Sequence, residues 1–198
     1  MKSRAEPRHE HGPRSSVQLS EKTWPVFDSL FSASGGVWGG CWCTFYQKTG
    51  PFDSNAYDKN RKAKRKLVSH GIAHGTIVLC GSDPVGWCQF GPREELPRID
   101  TKKDYVPTAR NAWRVTCFFV SKEHRKQGFA EFALKESIAA MKKLGVRSVE
   151  AYPVEGERSA TNLWSGTPER FEKVGFHRVG PLGKHGWIYS ITLRGRPG

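Results

Sequence analysis

No stretch of the sequence is apolar enough to span a membrane. A spanning helix needs about 20 consecutive apolar residues, and the longest apolar runs here, such as residues 115–120, are only as long as one strand. The first 20 residues also have no apolar core of the kind that a secretory signal requires. We therefore expect a cytoplasmic protein that stays out of membranes, with a disordered basic tail at residues 1–20 and a single domain at residues 21–198.

Acidic residues are scarce, and the cysteines do not form a disulfide pattern. The chain has 19 acidic residues against 32 lysines and arginines, and its net charge of +13 favours an acidic partner. The five cysteines are an odd number and mostly lie in apolar contexts, so we expect buried free thiols in a reducing compartment. Cys41 and Cys43 could form half of a zinc site, but no second close pair of ligands accompanies them, and we predict no metal.

Much of the positive charge lies in one segment. Residues 55–69 place a thin apolar stripe among lysines and arginines, which predicts a surface helix with an outward basic face. Such a run is usually a solvated surface. The alternative is a docking surface for an acidic partner such as a nucleic acid. The basic side chains concerned are Lys59, Arg61, Lys62, Lys64, Arg65 and Lys66.

The hydrophobic pattern predicts a mixture of helices and strands. The predicted helices are residues 24–31, 55–69, 129–144 and 168–174. The predicted strands are residues 37–46, 76–80, 85–90, 112–120, 148–154 and 187–193. Their order implies an α/β fold in which helices cover the faces of a mixed sheet.

The predicted strand at 112–120 passes through a short basic turn into the predicted helix at 129–144. Gly128 lets the backbone approach a ligand closely, and the first N–H groups of a helix have no internal partners. The helix dipole makes this end positive, and Arg125 and Lys126 add charge beside it. The turn therefore predicts an anion site that suits a pyrophosphate.

This turn resembles the acyl-CoA signature of the GNAT superfamily of N-acetyltransferases, in which Gln or Arg is followed at fixed spacing by Gly and by Gly or Ala. Arg125, Gly128 and Ala130 stand at the three defining positions, and residues 171–176 are similar to the family's closing aromatic-x-x-x-Gly-Phe segment. The resemblance covers about residues 35–193 and looks like a bacterial subgroup of unassigned substrate. It implies the single-domain GNAT fold, α/β (α+β), with a mixed, mostly antiparallel sheet and helices on both faces.

The resemblance also implies acetyl-CoA as co-substrate and indicates where it binds. The backbone of residues 118–120 would meet the pantetheine arm, and residues 125–130 would hold the pyrophosphate. The nine implied residues are Phe118, Phe119, Val120, Arg125, Lys126, Gln127, Gly128, Phe129 and Ala130.

The catalytic positions depart from the family's common pattern. Many members have a glutamate on the signature strand and a tyrosine before the closing Gly-Phe, and here those positions are Arg114 and Phe171. Glu150 and Tyr152 lie two apart in a predicted strand, hence on one face, and are the nearest candidates for general base and acid. The alternatives are a surface carboxylate paired with a lysine, a packing tyrosine, and proton transfer through a water chain.

The predicted reaction is transfer of an acetyl or other acyl group to a primary amine of a small molecule or peptide. One alternative acceptor is an amine attached to a nucleic acid, such as aminoacyl-tRNA, which the positive charge favours. The other alternative is a non-catalytic CoA-binding module, because the family's Glu and Tyr are absent. The acyl length and a possible homodimer are left open.

Overall fold

The computed structural model describes residues 12–155 and 164–194, which contain a seven-stranded sheet and flanking helices. The strands are β1 (Arg14–Gln18), β2 (His74–Cys80), β3 (Asp83–Pro92), β4 (Trp113–Val120), β5 (Ser148–Ala151), β6 (His177–Leu182) and β7 (Gly186–Thr192). The helices are α1 (Trp24–Ser32), α2 (Tyr57–Ser69), α3 (Phe129–Lys143) and α4 (Pro168–Glu172). Within the described residues, no helix combines the length and the apolar character needed to cross a membrane.

The strand order is β1-β2-β3-β4-β5-β7-β6, and the pairs are antiparallel except for β4 with β5. The predicted mixed, mostly antiparallel sheet is thus confirmed. The parallel pair is short, because only Trp113, Arg114 and Val115 of β4 have partners on β5. Beyond Val115 the two strands separate, and the sheet opens at its centre.

Two hydrophobic cores lie on opposite faces of the sheet, because neighbouring strand residues point to opposite sides. Val78 and Cys88 point to the face that α3 and α4 cover, whereas Ile77 and Trp87 point to the face that α1 and α2 cover. Helices therefore cover both faces, as predicted. The buried stripe of α3 consists of Phe129, Ala133, Leu134, Ser137, Ile138 and Met141.

One predicted strand is wrong, while the others and all four helices are confirmed to within three residues at each end. Residues 37–46 form a series of turns that leads into a 3-10 helix at Phe45–Gln47. Gly36 and Gly40 have φ angles of +74° and +122°, which an extended strand does not contain. The apolar residues of this segment are explained by turns packed against α1 and α2.

Two strands were not predicted. Arg14–Gln18 is an edge strand paired with β2. The prediction of a disordered tail is therefore wrong for these five residues. Residues 1–11 lie outside the described residues. The only apolar residue of β1 is Val17, so backbone hydrogen bonds rather than a hydrophobic pattern hold it. His177–Leu182 pairs with β7. It was not predicted because it contains Gly180 and Pro181, two residue types that are uncommon in strands. The expected domain at 21–198 remains a prediction.

Gly75 of β2 tests how tightly the core on the α1 and α2 face is packed. A Cβ atom at Gly75 would lie 2.0 Å from the Trp87 ring, which is fully buried. We expect Gly75→Ala to lower the free energy of unfolding by about 1–3 kcal/mol, the usual cost of overpacking. Urea denaturation measures this change. Gly50→Ala is the control, because a Cβ there meets nothing within 4 Å, and equal losses at both positions would contradict the expectation.

Candidate functional site

A groove of about 790 Å³ begins beside the second half of β4, beyond the point where β4 and β5 separate. A β-bulge precedes it, because Gln89 and Phe90 of β3 pair with Cys117 and Val115 and leave Thr116 as the extra residue. A bulge bends its strand and turns the following side chains. The predicted cofactor-binding residues that line the groove are Phe118, Phe119, Val120, Arg125, Lys126, Gly128, Phe129 and Ala130.

The turn before α3 has the backbone geometry of an anion site. Lys126 and Gly128 have φ angles of +60° and +81°, so left-handed residues alternate through the turn. Such a concave backbone directs successive N–H groups toward one point, and the first turn of α3 adds its own free N–H groups. Gln127 is the predicted residue that does not line the groove, since its Nε2 donates to Glu123 O at 2.9 Å.

Arg14 of β1 supports this turn from outside the groove. Its Nη2 donates to Gln127 O at 2.7 Å, and its guanidinium lies 4.7 Å from the centre of the Phe129 ring. The turn is therefore tied to the edge of the sheet. Sequence reasoning missed Arg14 because the contact joins residues 113 positions apart.

Two aromatic residues on different loops close one side of the groove. Trp38 and Trp164 pack edge to face with ring centres 5.3 Å apart, and both line the groove. On α4, the Arg170 guanidinium lies 5.3 Å from the centre of the Phe118 ring. Apolar walls next to a cationic turn match a ligand with a long uncharged arm and a phosphate group. Arg170 and the pairing of the two tryptophans were not predicted, because they depend on how the loops fold.

β5 ends at Ala151, so Glu150 lies in the strand while Tyr152 directly follows it, and neither side chain lines the groove. The Glu150 carboxylate has no exposed surface, and Tyr152 donates to its Oε2 at 2.7 Å. Burial raises the pKa of Tyr152 well above its usual range, so its hydroxyl keeps its proton. The alternative of a surface carboxylate paired with a lysine is wrong for Glu150.

Neither residue at the family's usual catalytic positions is placed to transfer a proton. Arg114 is fully buried and donates twice to the Asp100 carboxylate, at 2.7 and 2.9 Å. Although burial opposes ionisation, hydrogen bonds from Arg114 and Arg93 lower the pKa of Asp100. Phe171 is buried against Phe118 and has no exchangeable proton.

The basic surface of α2 is smaller than predicted. Lys64 is fully buried and donates to Cys43 O at 3.0 Å and to Gln47 Oε1 at 2.6 Å, so it is not available to an acidic partner. Its position in the helix turns it inward with Asn60 and Val68. Arg61 is exposed but makes a two-bond ion pair with Asp28. The remaining exposed cations of the predicted set are Lys59, Lys62, Arg65 and Lys66.

All five cysteines are buried free thiols, as predicted. Cys43 and Cys117 place their sulfur atoms 3.2 Å apart, and burial raises the pKa of Cys43 well above its usual range. A buried protonated thiol is a poor nucleophile and a poor metal ligand. Among residues 12–155 and 164–194, no group of three or more His, Cys, Asp or Glu side chains is arranged to hold a metal ion.

The comparisons with known proteins agree with the fold and the turn. The model of the acetyltransferase (GNAT) family matches residues 41–165, so the chain belongs to this family. Comparison with curated protein sequences finds no match.

Solved structures show the same fold at low sequence identity. An acetyltransferase from Thermus thermophilus is 15% identical with a TM-score of 0.55, covering 92% of this chain and 99% of that chain. The ribosomal-protein-S18-alanine N-acetyltransferase from Escherichia coli is 10% identical with a TM-score of 0.52, covering 94% and 97%. YncA from Salmonella typhimurium, whose structure contains its cofactor acetyl-CoA, is 10% identical with a TM-score of 0.52, covering 91% and 94%.

The anion site is tested by placing a negative charge in the turn. Gly128→Glu should weaken acetyl-CoA binding at least about tenfold, because a carboxylate would repel the phosphates at the positive end of α3. Gly145→Glu is a matched control: Gly145 also has a positive φ, of +76°, but follows the opposite end of α3. Isothermal titration calorimetry should show near-normal affinity for the control. Equal weakening in both variants would place the cofactor elsewhere.

The burial of Lys64 predicts a measurable pH dependence of stability. Burial lowers the pKa of Lys64 to about 8, below the 10.5 of an exposed lysine. Between these values the unfolded chain binds more protons, so stability rises with pH from about 8 to 10.5. Lys64→Met should remove up to about 3 kcal/mol of this rise, since one pKa unit corresponds to about 1.4 kcal/mol.

Urea denaturation of both proteins at several pH values between about 7 and 10 measures the difference in slope. Lys62→Met, at an exposed position of the same helix, should keep the wild-type slope. Parallel curves for the wild type and Lys64→Met would contradict the proposed ionisation.

Proposed function

We propose that this protein transfers an acetyl group from acetyl-CoA to a primary amine. The observation that carries the proposal is the turn at residues 125–130, which has the backbone geometry of an anion site. It follows β4, whose edge beyond Val115 has no strand beside it among the described residues. Pyrophosphate fits the turn, and the β4 edge offers backbone groups to the amide-containing arm. Trp38 and Trp164 form an apolar wall on one side of the groove.

Acetyl-CoA supplies an activated thioester. During transfer a C–N bond forms and the C–S bond breaks, so that CoA leaves as a thiolate. The proton that the attacking amine loses ends on the sulfur of CoA. The residues of this chain have three tasks in that reaction. They hold the two substrates together, which accounts for a large part of the acceleration in such reactions. N–H groups of β4 beyond Val115 polarise the carbonyl oxygen. A side chain or a bound water removes the proton.

Glu150 is the proposed general base. It faces Arg114 across the parallel pair, one residue pair before β4 and β5 separate, and its neighbours Val149 and Ala151 point to the opposite face, which α3 and α4 cover. Glu150 thus lies beside the opening and outside the groove, and this position supports the proposed role. Tyr152 is proposed to position Glu150, because its hydroxyl already donates to Oε2 at 2.7 Å.

A second acceptor class is an amine carried by a nucleic acid. The observation that favours it is a groove of about 380 Å³ on the surface between α1 and α2, where the cations outnumber the one acidic residue. Its charged lining is Asp58, Arg61, Lys62, Arg65 and Lys66, beside the indole of Trp24. A row of cations attracts phosphates, and binding of this kind weakens as salt concentration rises.

A panel of acceptors tests both classes. The panel contains amino acids, polyamines, aminoglycosides, peptides and aminoacyl-tRNA, and release of CoA is measured. We expect turnover with at least one primary amine. If aminoacyl-tRNA is the substrate, replacing Lys62, Arg65 and Lys66 by Gln should raise its KM at least about tenfold at roughly 0.15 M salt, while a small amine would be unaffected. Tight acetyl-CoA binding without turnover of any acceptor would favour the non-catalytic module.

A further inference from the structure

Every hydrogen-bonding position of the Glu150 carboxylate is occupied. Oε1 accepts from the Thr108 backbone N–H at 2.5 Å and from Thr108 Oγ1 at 2.7 Å. Oε2 accepts from the hydroxyls of Tyr105 and Tyr152, each at 2.7 Å. A carboxylate offers about four lone-pair sites. In this conformation Glu150 has no site left for an amine.

Three of these four donors come from one surface segment, the 102–112 loop. It contains no helix or strand, and most of its residues are exposed, with Val106 71% exposed. Its polar contacts converge on Glu150, which accepts all three of those hydrogen bonds. The loop makes two weaker contacts nearby. Thr108 Oγ1 lies 3.5 Å from Ser190 Oγ, and the Tyr105 ring centre lies 5.0 Å from the Arg114 guanidinium. Glu150 is therefore the main polar anchor of the loop.

The donors that surround Glu150 are all uncharged. The nearby cation on the same face, Arg114, is bound to Asp100, which also pairs with Arg93. No salt bridge to Glu150 is present in residues 12–155 and 164–194. A buried carboxylate that has only neutral donors gains from a cationic donor, because opposite charges attract strongly where water is excluded.

We propose that the 102–112 loop is a lid on Glu150 that the acceptor displaces. A primary ammonium has three N–H donors, and up to two of them can point at one carboxylate. On binding, the ammonium donates to Glu150 in place of Tyr105 and Thr108, and Tyr152 keeps its bond to Oε2. The ammonium then passes one proton to the carboxylate and becomes the neutral nucleophile. This inference rests on the proposed function for its last step only.

Tyr105 and Thr108 thus hold the lid closed, and their displacement selects for an ammonium that carries N–H donors. A quaternary ammonium has charge but no N–H donors, so it cannot replace the loop. A tertiary ammonium has one donor and would leave part of the carboxylate without a hydrogen bond. An unsatisfied buried acceptor is costly in free energy. The lid explains how a base can be fully covered in the free protein and still receive a substrate proton.

Hydrogen exchange of the backbone amides at residues 102–112 tests the lid without requiring turnover. The Thr108 N–H is bonded to Glu150 only while the lid is closed, so its exchange rate reports opening. Adding n-butylammonium at about 50 mM should speed exchange in this loop severalfold, and tetramethylammonium at the same ionic strength should not. Equal responses to the two ions would overturn the proposal.

Variants of the loop supply an independent test. Tyr105→Phe and Thr108→Val each remove one donor and should speed exchange of the loop at least about tenfold, given the usual strength of a hydrogen bond to a charged group. Tyr57→Phe is the matched control, because its hydroxyl bonds Ser32 Oγ on the surface at 3.3 Å. Unchanged exchange in both loop variants would show that the loop is held by other contacts and would overturn the lid.

Kinetics separate this inference from the proposed function. With any acceptor that the panel identifies, Tyr105→Phe should lower the acceptor KM at least about threefold without lowering kcat, because less binding energy is spent on opening. Glu150→Gln should lose turnover. A raised KM in Tyr105→Phe would mean that Tyr105 helps to bind the acceptor. The lid proposal would then be wrong, whereas the proposed acetyl transfer would not be affected. Absence of turnover with all acceptors would count against the proposed function. The hydrogen-exchange experiment would still test the lid, because it needs no turnover.

Discussion

The short parallel pairing between β4 and β5 is the constraint on which the rest of the structure depends. Three residue pairs join the strands, and beyond Val115 the inner edge of β4 has no strand beside it among the described residues. A polar backbone edge inside a domain must find other partners. The bulge at Thr116, the turn before α3 and the loops over both faces are all arranged around this opening. A ligand that carries amide groups along its length is the natural partner for such an edge.

The sheet face that α1 and α2 cover buries an arginine, a lysine and a glutamate, and the polar groups of each are satisfied differently. Arg114 has an anionic partner in Asp100, Lys64 donates to neutral acceptors, and Glu150 accepts from neutral donors. Burying a charge without a counter-charge is costly. At Lys64 this cost is seen as a lowered pKa. Glu150 is surrounded by hydroxyl and amide donors instead, which leaves the site attractive to a cation.

The sequence was most informative where local rules decide the structure. The helical spacing of apolar residues in α3, the glycine turn before it and the apolar runs of β2 and β3 predicted those elements and eight of the lining residues of the groove. Prediction failed where long-range packing decides. The apolar residues in the turns at 37–46 gave the pattern of a strand, and nothing in the sequence distinguishes the buried Lys64 from its exposed neighbours. The contacts of Tyr105 and Thr108 with Glu150 join residues more than 40 positions apart.

The edge strand β1 couples residues 14–18 to the turn before α3, where the cofactor is proposed to bind. Arg14 reaches the turn before α3 only when β1 is paired with β2, and β2 is about 60 residues later in the sequence. During synthesis, residues 14–18 therefore leave the ribosome long before their partners exist, and the turn gains its support late in folding. A shortened chain that begins at residue 21 would also expose β2 as a new sheet edge, and unprotected edges of this kind promote self-association.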